Sequence, residues 1–471
     1  MSPASWMSAQ NLLAQIIGIA LFAVQAPLLG PRAFGLMALV MVFIGFCDTV
    51  LQISATDALN SVHEIDAEHY STMTTASAAL ATAIGAGVFV FAHQIAMLFA
   101  EPKLEAMLHW MALLPLVSVL ACAPSAASRR ALDFRPLVIR ELAGLVVGGI
   151  VGMTLALLHC GVWALVAQTI VQRVVNIVIL WRLVAVPFRL GFSAVHFREM
   201  WPYLGPMMWS QTMSWVSVQI PRFLLGLFLG ATDLGIFSLA SRFNDIVVQL
   251  TVSPAYVVAR IQMREFIADR AGFDSAVRRL LQRMAFLCFP LCIGGAVAMP
   301  VLISAWLDPR WASGVVASQL MLLGAMPYVT HYGLSAALLA TNKQSQVAVN
   351  STFQSITTAA VVPIFGPLGL TAATAAIALR PLVSASIPAV LARRHCGISF
   401  RLVLQAQAPI LGAAAVMGLV VWLIRSLLVS HVAGALLLPI LVAAGAASYA
   451  VCVRYLAPDL TRNYANRFMG K

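Results

Sequence analysis

Apolar residues run in long stretches down the whole chain, separated by short polar links. A helix needs about 20 mostly apolar residues to cross the hydrocarbon of a bilayer. Fourteen such segments can be laid out, near residues 5–29, 35–59, 72–99, 105–126, 137–158, 162–185, 202–229, 235–258, 284–307, 312–340, 345–365, 369–391, 404–429 and 432–456. Several exceed 25 residues, and Pro115, Pro290, Pro327 and Pro381 fall inside spans, so tilt and kinks are expected. The first stretch lacks a basic leader and a small-residue cleavage site, and reads as a retained first helix. The pattern predicts an all-α integral membrane protein of about fourteen transmembrane helices.

Composition supports this. Of 471 residues, 61% are apolar and only 10% charged, against about 25% charged in a soluble domain. So few charges cannot dress a water-facing surface, so most of the surface must meet lipid. The net charge of +12 would suit nucleic acid, but no soluble basic domain exists to carry it, and no nucleic-acid partner is expected. The basic residues read instead as topology signals and contacts to membrane lipids. With fourteen spans both termini share one side. That side holds 21 of the 29 Lys and Arg, the other holds Arg32, Lys103, Arg310 and Arg425, and four lie within spans. The excess places both termini in the cytoplasm. One link on that side, His63–Glu64–Ile65–Asp66–Ala67–Glu68–His69, is acidic. It lacks the HExxH spacing, reads as a solvated loop, and no metal is assigned to it. The seven cysteines form no CxxC pair and read as small apolar residues. There is no GxxxxGK[ST] loop or zinc-protease spacing, so neither ATP use, nor a cofactor, nor an enzyme activity is expected.

The chain repeats weakly. Leu29, Gly30, Gly35, Leu39 and Phe43 recur 200 residues later as Leu229, Gly230, Gly235, Leu239 and Phe243. A second echo, Gly161 and Ala164 with Gly369 and Ala372, has an offset of 208. Six helices separate the copies, an even number, so both halves insert the same way as a parallel repeat. Two parallel-repeat six-helix bundles are expected, residues 1–200 and 201–400, followed by two C-terminal helices and a tail at 401–471. Two facing bundles make a cavity suited to alternating access. Gly144, Gly148 and Gly152 form a small-residue stripe for close helix packing.

Three glycine-led segments carry a family resemblance. They are Leu28–Leu29–Gly30–Pro31–Arg32–Ala33–Phe34–Gly35–Leu36, Gly161–Val162–Trp163–Ala164–Leu165–Val166–Ala167–Gln168, and Phe228–Leu229–Gly230–Ala231–Thr232–Asp233–Leu234–Gly235–Ile236 followed by Leu239–Ala240–Ser241–Arg242. With them the chain resembles, over its whole length, the polysaccharide exporters of the multidrug/oligosaccharidyl-lipid/polysaccharide exporter superfamily. The resemblance implies a flippase of the bacterial inner membrane, moving an undecaprenyl-pyrophosphate-linked oligosaccharide for exopolysaccharide or O-antigen synthesis. It also implies a polysaccharide polymerase and export machinery as partners. Many relatives carry an Asp before the arginine late in span seven; here Pro221 precedes Arg222.

Charges inside the spans are the candidate chemistry, since each is disfavoured by about 2.5–3.5 kcal/mol at a helix centre. Arg222, Arg242, Arg380 and Arg173 could meet phosphate oxygens through forked donors. Gln15, Gln25 and Gln211 lie on polar faces related by the 200-residue offset and could meet sugars. Asp48, Asp57 and Asp245 are candidates for ion coupling. Arg242 and Asp245 can also pair at i, i+3, and Arg173, Arg380 and Asp57 lie near the membrane interface, where long side chains snorkel. Gln346, Asn350 and Gln354 share a further polar face, and Trp209, Trp215, Tyr328 and Tyr332 could stack on sugars. Two other readings stay open: a cation-coupled drug exporter of the same superfamily, and a non-transporting scaffold of the polysaccharide machinery.

Overall fold

The computed structural model describes residues 3–186, 191–266, 269–341, 344–429, 431–432 and 434–456. The described residues are helical with no strand, and ten helices are long and apolar enough to cross a membrane. The chain is a multi-pass membrane protein with two compact units, Met1–Gly235 and Ile236–Lys471.

The first unit contains α1 (Pro3–Phe46), α2 (Ile53–Ser61), α3 (Ala67–Val90), α4 (Ala92–Leu98), α5 (Pro102–Met111), α6 (Leu114–Val119), α7 (Cys122–Arg130), α8 (Arg135–Leu157), α9 (Trp163–Leu183) and the first part of α10 (Ala194–Thr251). Two continuous helical stretches are far too long for one crossing. Gln10–Ser61 has 52 residues and Ala194–Tyr256 has 63. At about 1.5 Å per residue they would extend about 78 and 95 Å, against about 30 Å of hydrocarbon.

Both stretches break at a glycine: Gly30 at φ 74°, ψ 170°, and Gly230 at φ 80°, ψ 179°. That region of backbone space belongs almost wholly to glycine. Five residues on, each copy has a second glycine in a tight place. A Cβ on Gly35 would overlap the Ala231 carbonyl, and a Cβ on Gly235 would overlap the Pro31 carbonyl. The partners obey the same 200-residue offset as the glycines. The junctions therefore fall where the repeated motif puts them, and the motif's glycines have distinct tasks: one breaks the helix, the other admits a backbone.

Between α1 and α2 the helix widens into a π-helical turn, Cys47–Gln52. The glycine stripe acts as expected: Gly144, Gly148 and Gly152 face Asn176, Gln172 and Gln168 of α9, leaving no room for a Cβ. α8 also packs on α1. A core of Ala55, Leu59, Met73, Cys122, Ala126 and Met200 ties α2, α3 and α7 to α10. The acidic run is more than a solvated loop. Asp66 caps α3 in a capping box with His69, and His69 is buried.

The second unit holds the rest of α10, then α11 (Ser253–Gln262), α12 (Arg270–Trp306), α13 (Gly314–Leu323), α14 (Tyr328–Ala340), α15 (Gln344–Phe365), α16 (Leu370–Cys396), α17 (Phe400–Leu428) and α18 (Gly434–Leu456). α12 packs on α17 and α17 on α18, while α14 and α15 lie on α16. α16 stops at Gly397, which is left-handed, with Arg393, Arg394 and His395 in its last turn facing the negative end of the helix dipole. The seven cysteines are free thiols.

Candidate functional site

The polar side chains inside the spans fall into different electrostatic environments. In the first unit, the π-turn carries Asp48. A π-turn shifts side chains around the helix by one position, and such turns recur at functional sites. Here it accompanies an ion pair with α9: Arg173 Nη2 lies 2.5 Å from Asp48 Oδ2, with the side chains 32% and 17% exposed. Arg173 thus meets a carboxylate rather than simply snorkelling. The other oxygen, Asp48 Oδ1, is buried with no hydrogen-bond partner among the described residues. Asp57 on α2 is paired too, accepting from Arg129 Nη1 at 3.1 Å. The neighbouring Arg130 donates to the carbonyls of Leu59, Val62 and His63, satisfying the end of α2.

The glutamines of the predicted polar faces separate. Gln25 is buried and donates to Gln168 Oε1 at 2.6 Å, linking α1 to α9. Gln15 and Gln211 are half-buried. Arg222 is half-buried on α10, and its Nη1 donates to Gln219 Oε1 at 3.0 Å, one helical turn back.

In the second unit, Arg242 is half-buried and Asp245 exposed on the same helix, close enough for the carboxylate charge to act on the guanidinium. Asn244, between them, is buried and donates to the Met321 carbonyl at 3.0 Å.

Arg380 on α16 has a different setting. Its Nη1 donates to the Thr358 hydroxyl of α15 and its Nη2 to the Tyr328 hydroxyl of α14, the latter at 3.1 Å. Its Nε is buried without a hydrogen-bond partner, and no carboxylate pairs with it, among the described residues. Aromatic rings crowd beside it. Tyr332 lies 5.8 Å from Tyr328, 5.0 Å from the ring of the buried His331 and 5.4 Å from Tyr256. Nearby, Thr330 of α14 and Gln407 of α17 exchange hydrogen bonds. A full positive charge held by neutral hydroxyls suits an anion, and the tyrosines offer flat faces and hydroxyls suited to sugars. On α15, Gln354 donates to Ser384, whereas the Gln346 and Asn350 side chains lie outside the described residues. Trp209 is exposed, while Trp215 packs edge-on to Phe46.

Sequence reasoning missed the π-turn and the hydroxyl partners of Arg380. It also missed an ion pair inside the motif itself: Arg32 grips Glu101 with two nearly parallel bonds of 2.7 and 3.2 Å. The second copy has Thr232 at the position of Arg32, so the repeat could not have announced this fork.

Among solved structures, the fold is similar to "Lipid II flippase MurJ, inward closed conformation", at 15% identity and a TM-score of 0.78, covering 96% of this chain and 99% of that one. It is also similar to an inward-facing multidrug resistance MATE family transporter of the MOP superfamily, at 13% identity and a TM-score of 0.61, covering 84% and 98%. At such identities the likeness concerns the fold. By sequence, 289 residues are 27% identical to the succinoglycan biosynthesis transport protein ExoT of Rhizobium meliloti (strain 1021), covering 61% of this chain. The match spans 58% of that relative's length. Residues 24–313, more than half of the chain, match the family described as "Polysaccharide biosynthesis protein", and the chain belongs to that family.

Proposed function

We propose that this protein is a flippase of the bacterial inner membrane that moves an undecaprenyl-pyrophosphate-linked oligosaccharide by alternating access, for exopolysaccharide or O-antigen synthesis. The observation that carries this reading is Arg380, a guanidinium held by neutral hydroxyls beside tyrosines. Such a group is suited to a pyrophosphate bearing sugars. Family membership and the relatives named for a succinoglycan transport protein and a lipid II flippase support the cargo class. Arg242 in the same unit as Arg380 and, in the first unit, Arg222, Gln15, Gln25 and Gln211 are the further substrate-binding candidates.

The reading includes fourteen crossings. Ten helices qualify by length and composition, the breaks at Gly30 and Gly230 divide two of them, and Gly314–Ala340 and Gln344–Phe365 supply the rest. Residues 1–200 and 201–400 would be parallel repeats, which the matched backbone at the two glycine pairs supports. Residues 401–471 would be the appendage, and the Lys and Arg excess favours cytoplasmic termini. Membrane lipids would hold the polyprenyl tail, with the polysaccharide polymerase and export machinery downstream. Asp48, whose Oδ1 lacks a hydrogen-bond partner among the described residues, is the favoured coupling group. Asp57 and Asp245 are the other acidic candidates.

The test is export in cells whose only flippase of this kind is the Arg380→Ala variant, with membrane expression measured in parallel. Surface polysaccharide should fall while lipid-linked precursor accumulates on the inner leaflet. Normal export by well-expressed variant would remove Arg380 from the mechanism. The half-buried Asp48 keeps a second reading in view, a cation-coupled drug exporter. That reading requires dye efflux that collapses in Asp48→Asn.

A further inference from the structure

Two imidazoles and three carboxylates converge at the start of α3 and the start of α10, apart from the polar sites above. Asp66 Oδ1 accepts from the His69 backbone N–H at 2.9 Å and lies 2.7 Å from His69 Nδ1. His69 Nε2 lies 3.3 Å from Glu199 Oε2. His196 Nε2 lies 3.5 Å from Asp66 Oδ2, and its Nδ1 lies 3.3 Å from Glu68 Oε2 and 2.7 Å from Ser193 Oγ. The two rings pack edge to face with centroids 4.4 Å apart.

A capping box accounts for Asp66 and His69. It does not account for His196 and Glu199, which come from another helix, nor for the charge balance. A neutral imidazole carries one N–H and one lone pair. If His69 donates its Nδ1–H to Asp66, its Nε2 lone pair faces a carboxylate oxygen of Glu199. His196 likewise has a carboxylate oxygen beside each ring nitrogen. With neutral rings, three negative charges surround two lone-pair donors, and a cation placed between them relieves both conflicts. The rings are shielded, at 5% and 20% exposure, behind a rim formed by Asp66, Glu68 and Glu199 at 56%, 68% and 57%. That leaves an entry from water to a sheltered pair of nitrogens.

We propose that Asp66, His69 and His196 bind a divalent transition-metal ion of the zinc class. One donor atom from each lies within 4.8 Å of the others. Tetrahedral zinc with ligand bonds of about 2.0–2.2 Å separates its donors by about 3.4 Å. A rotation of the exposed Asp66 side chain, with a small shift of the His196 ring, closes the difference. The fourth position is left to water or an exogenous ligand. With the metal on His69 Nδ1 and His196 Nε2, the nitrogens that face Asp66, the opposite ring nitrogens face Glu199 and Glu68, the carboxylate–histidine–metal arrangement that orients a ligating ring. Mixed imidazole and carboxylate donors select zinc, cobalt or nickel over calcium or magnesium. The metal would fasten the segment before α3 to the first turn of α10.

The test uses the full chain, purified in detergent, stripped with chelator and titrated with Co²⁺ at pH 7.4. Elemental analysis, visible d–d absorption and thermal unfolding with and without Zn²⁺ are the readouts. Wild type should take up one Co²⁺ per chain with tetrahedral-type bands, and Zn²⁺ should raise its unfolding temperature. His196→Ala should weaken binding at least about 10-fold, by loss of a ligand, and abolish the Zn²⁺-dependent rise. His196→Asn serves if the alanine variant does not fold. His93→Ala, which disturbs only the His93–Glu105 contact elsewhere, should bind as wild type does. No stoichiometric uptake by wild type would overturn the proposal. So would uptake unchanged in His196→Ala, or stabilisation by acid alone matching that by Zn²⁺, which would assign the cluster to protons.

Discussion

Asp48 with Arg173 in the first unit and Arg380 in the second show two ways for a membrane helix to carry a charge. Arg173 and Asp48 neutralise each other at 2.5 Å, and both are largely shielded. Arg380 is held instead by two hydroxyls, and among the described residues no carboxylate offsets it. The first arrangement leaves no net charge for a ligand to use until a proton or a ligand breaks the pair. The second leaves a whole positive charge ready for an anion. Side chains of the same chemical type thus suit different tasks, and burial alone would not separate them.

The sharpest way to break this contrast is to remove Arg380. Arg380→Ala should lower export by about 10–100-fold, the loss of one or two charge-assisted bonds of about 1.5–3 kcal/mol. Arg380→Lys, with a point charge and no fork, should retain part of it. Radiolabelled surface polysaccharide per unit of membrane-inserted protein measures both.

The pair should behave differently. Arg173→Ala leaves the half-buried Asp48 carboxylate without its partner, and Asp48→Asn leaves the arginine without its charge partner. Each should reduce thermal stability in detergent by about 1–3 kcal/mol, with the double variant Asp48→Asn/Arg173→Ala clearly less affected than the sum. Additive effects would mean that the two side chains do not act as a pair.

The two copies of the glycine motif provide a control that involves no charge. Gly35→Ala and Gly235→Ala each push a methyl group into a backbone carbonyl. Each should destabilise by about 1–3 kcal/mol through overpacking, and by similar amounts, because their partners are equivalent. A large inequality would break the correspondence between the copies. The smallest effect belongs to the fork whose arginine faces water: Arg32 is 61% exposed, while the Glu101 side chain it grips is only 10% exposed, and Arg32→Ala should destabilise by about 1 kcal/mol. Thermal unfolding in detergent reads both, and a rise in salt should weaken only the Arg32 contribution.

Much of the fold was legible because bilayer chemistry writes it in large letters: apolar runs of spanning length and glycines where the backbone breaks. Gly30, Gly35, Gly230 and Gly235 were visible because no other residue type can replace them and because they recur at one offset. Asp48 and Arg380 were visible as rare charges in apolar surroundings. Their partners were not. Which of α9's residues faces the π-turn depends on helix rotation, and nothing local in Cys47–Gln52 announces that turn. Thr358 and Tyr328 reach Arg380 from two other helices, and Thr and Tyr are too common in spans to stand out. His196 lies far from His69 in the chain, so the HExxH rule, which describes one helix, could not find their meeting.

The central claim is that Arg380, and not the paired Arg173, holds the anionic head group. The direct test is the affinity of purified protein for a polyprenyl-pyrophosphate-linked oligosaccharide, measured for wild type, Arg380→Ala and Arg173→Ala. We expect Arg380→Ala to bind at least about 10-fold more weakly, the loss of one charge-assisted bond, with Arg173→Ala close to wild type. Unchanged affinity in Arg380→Ala, or a loss confined to Arg173→Ala, would contradict it.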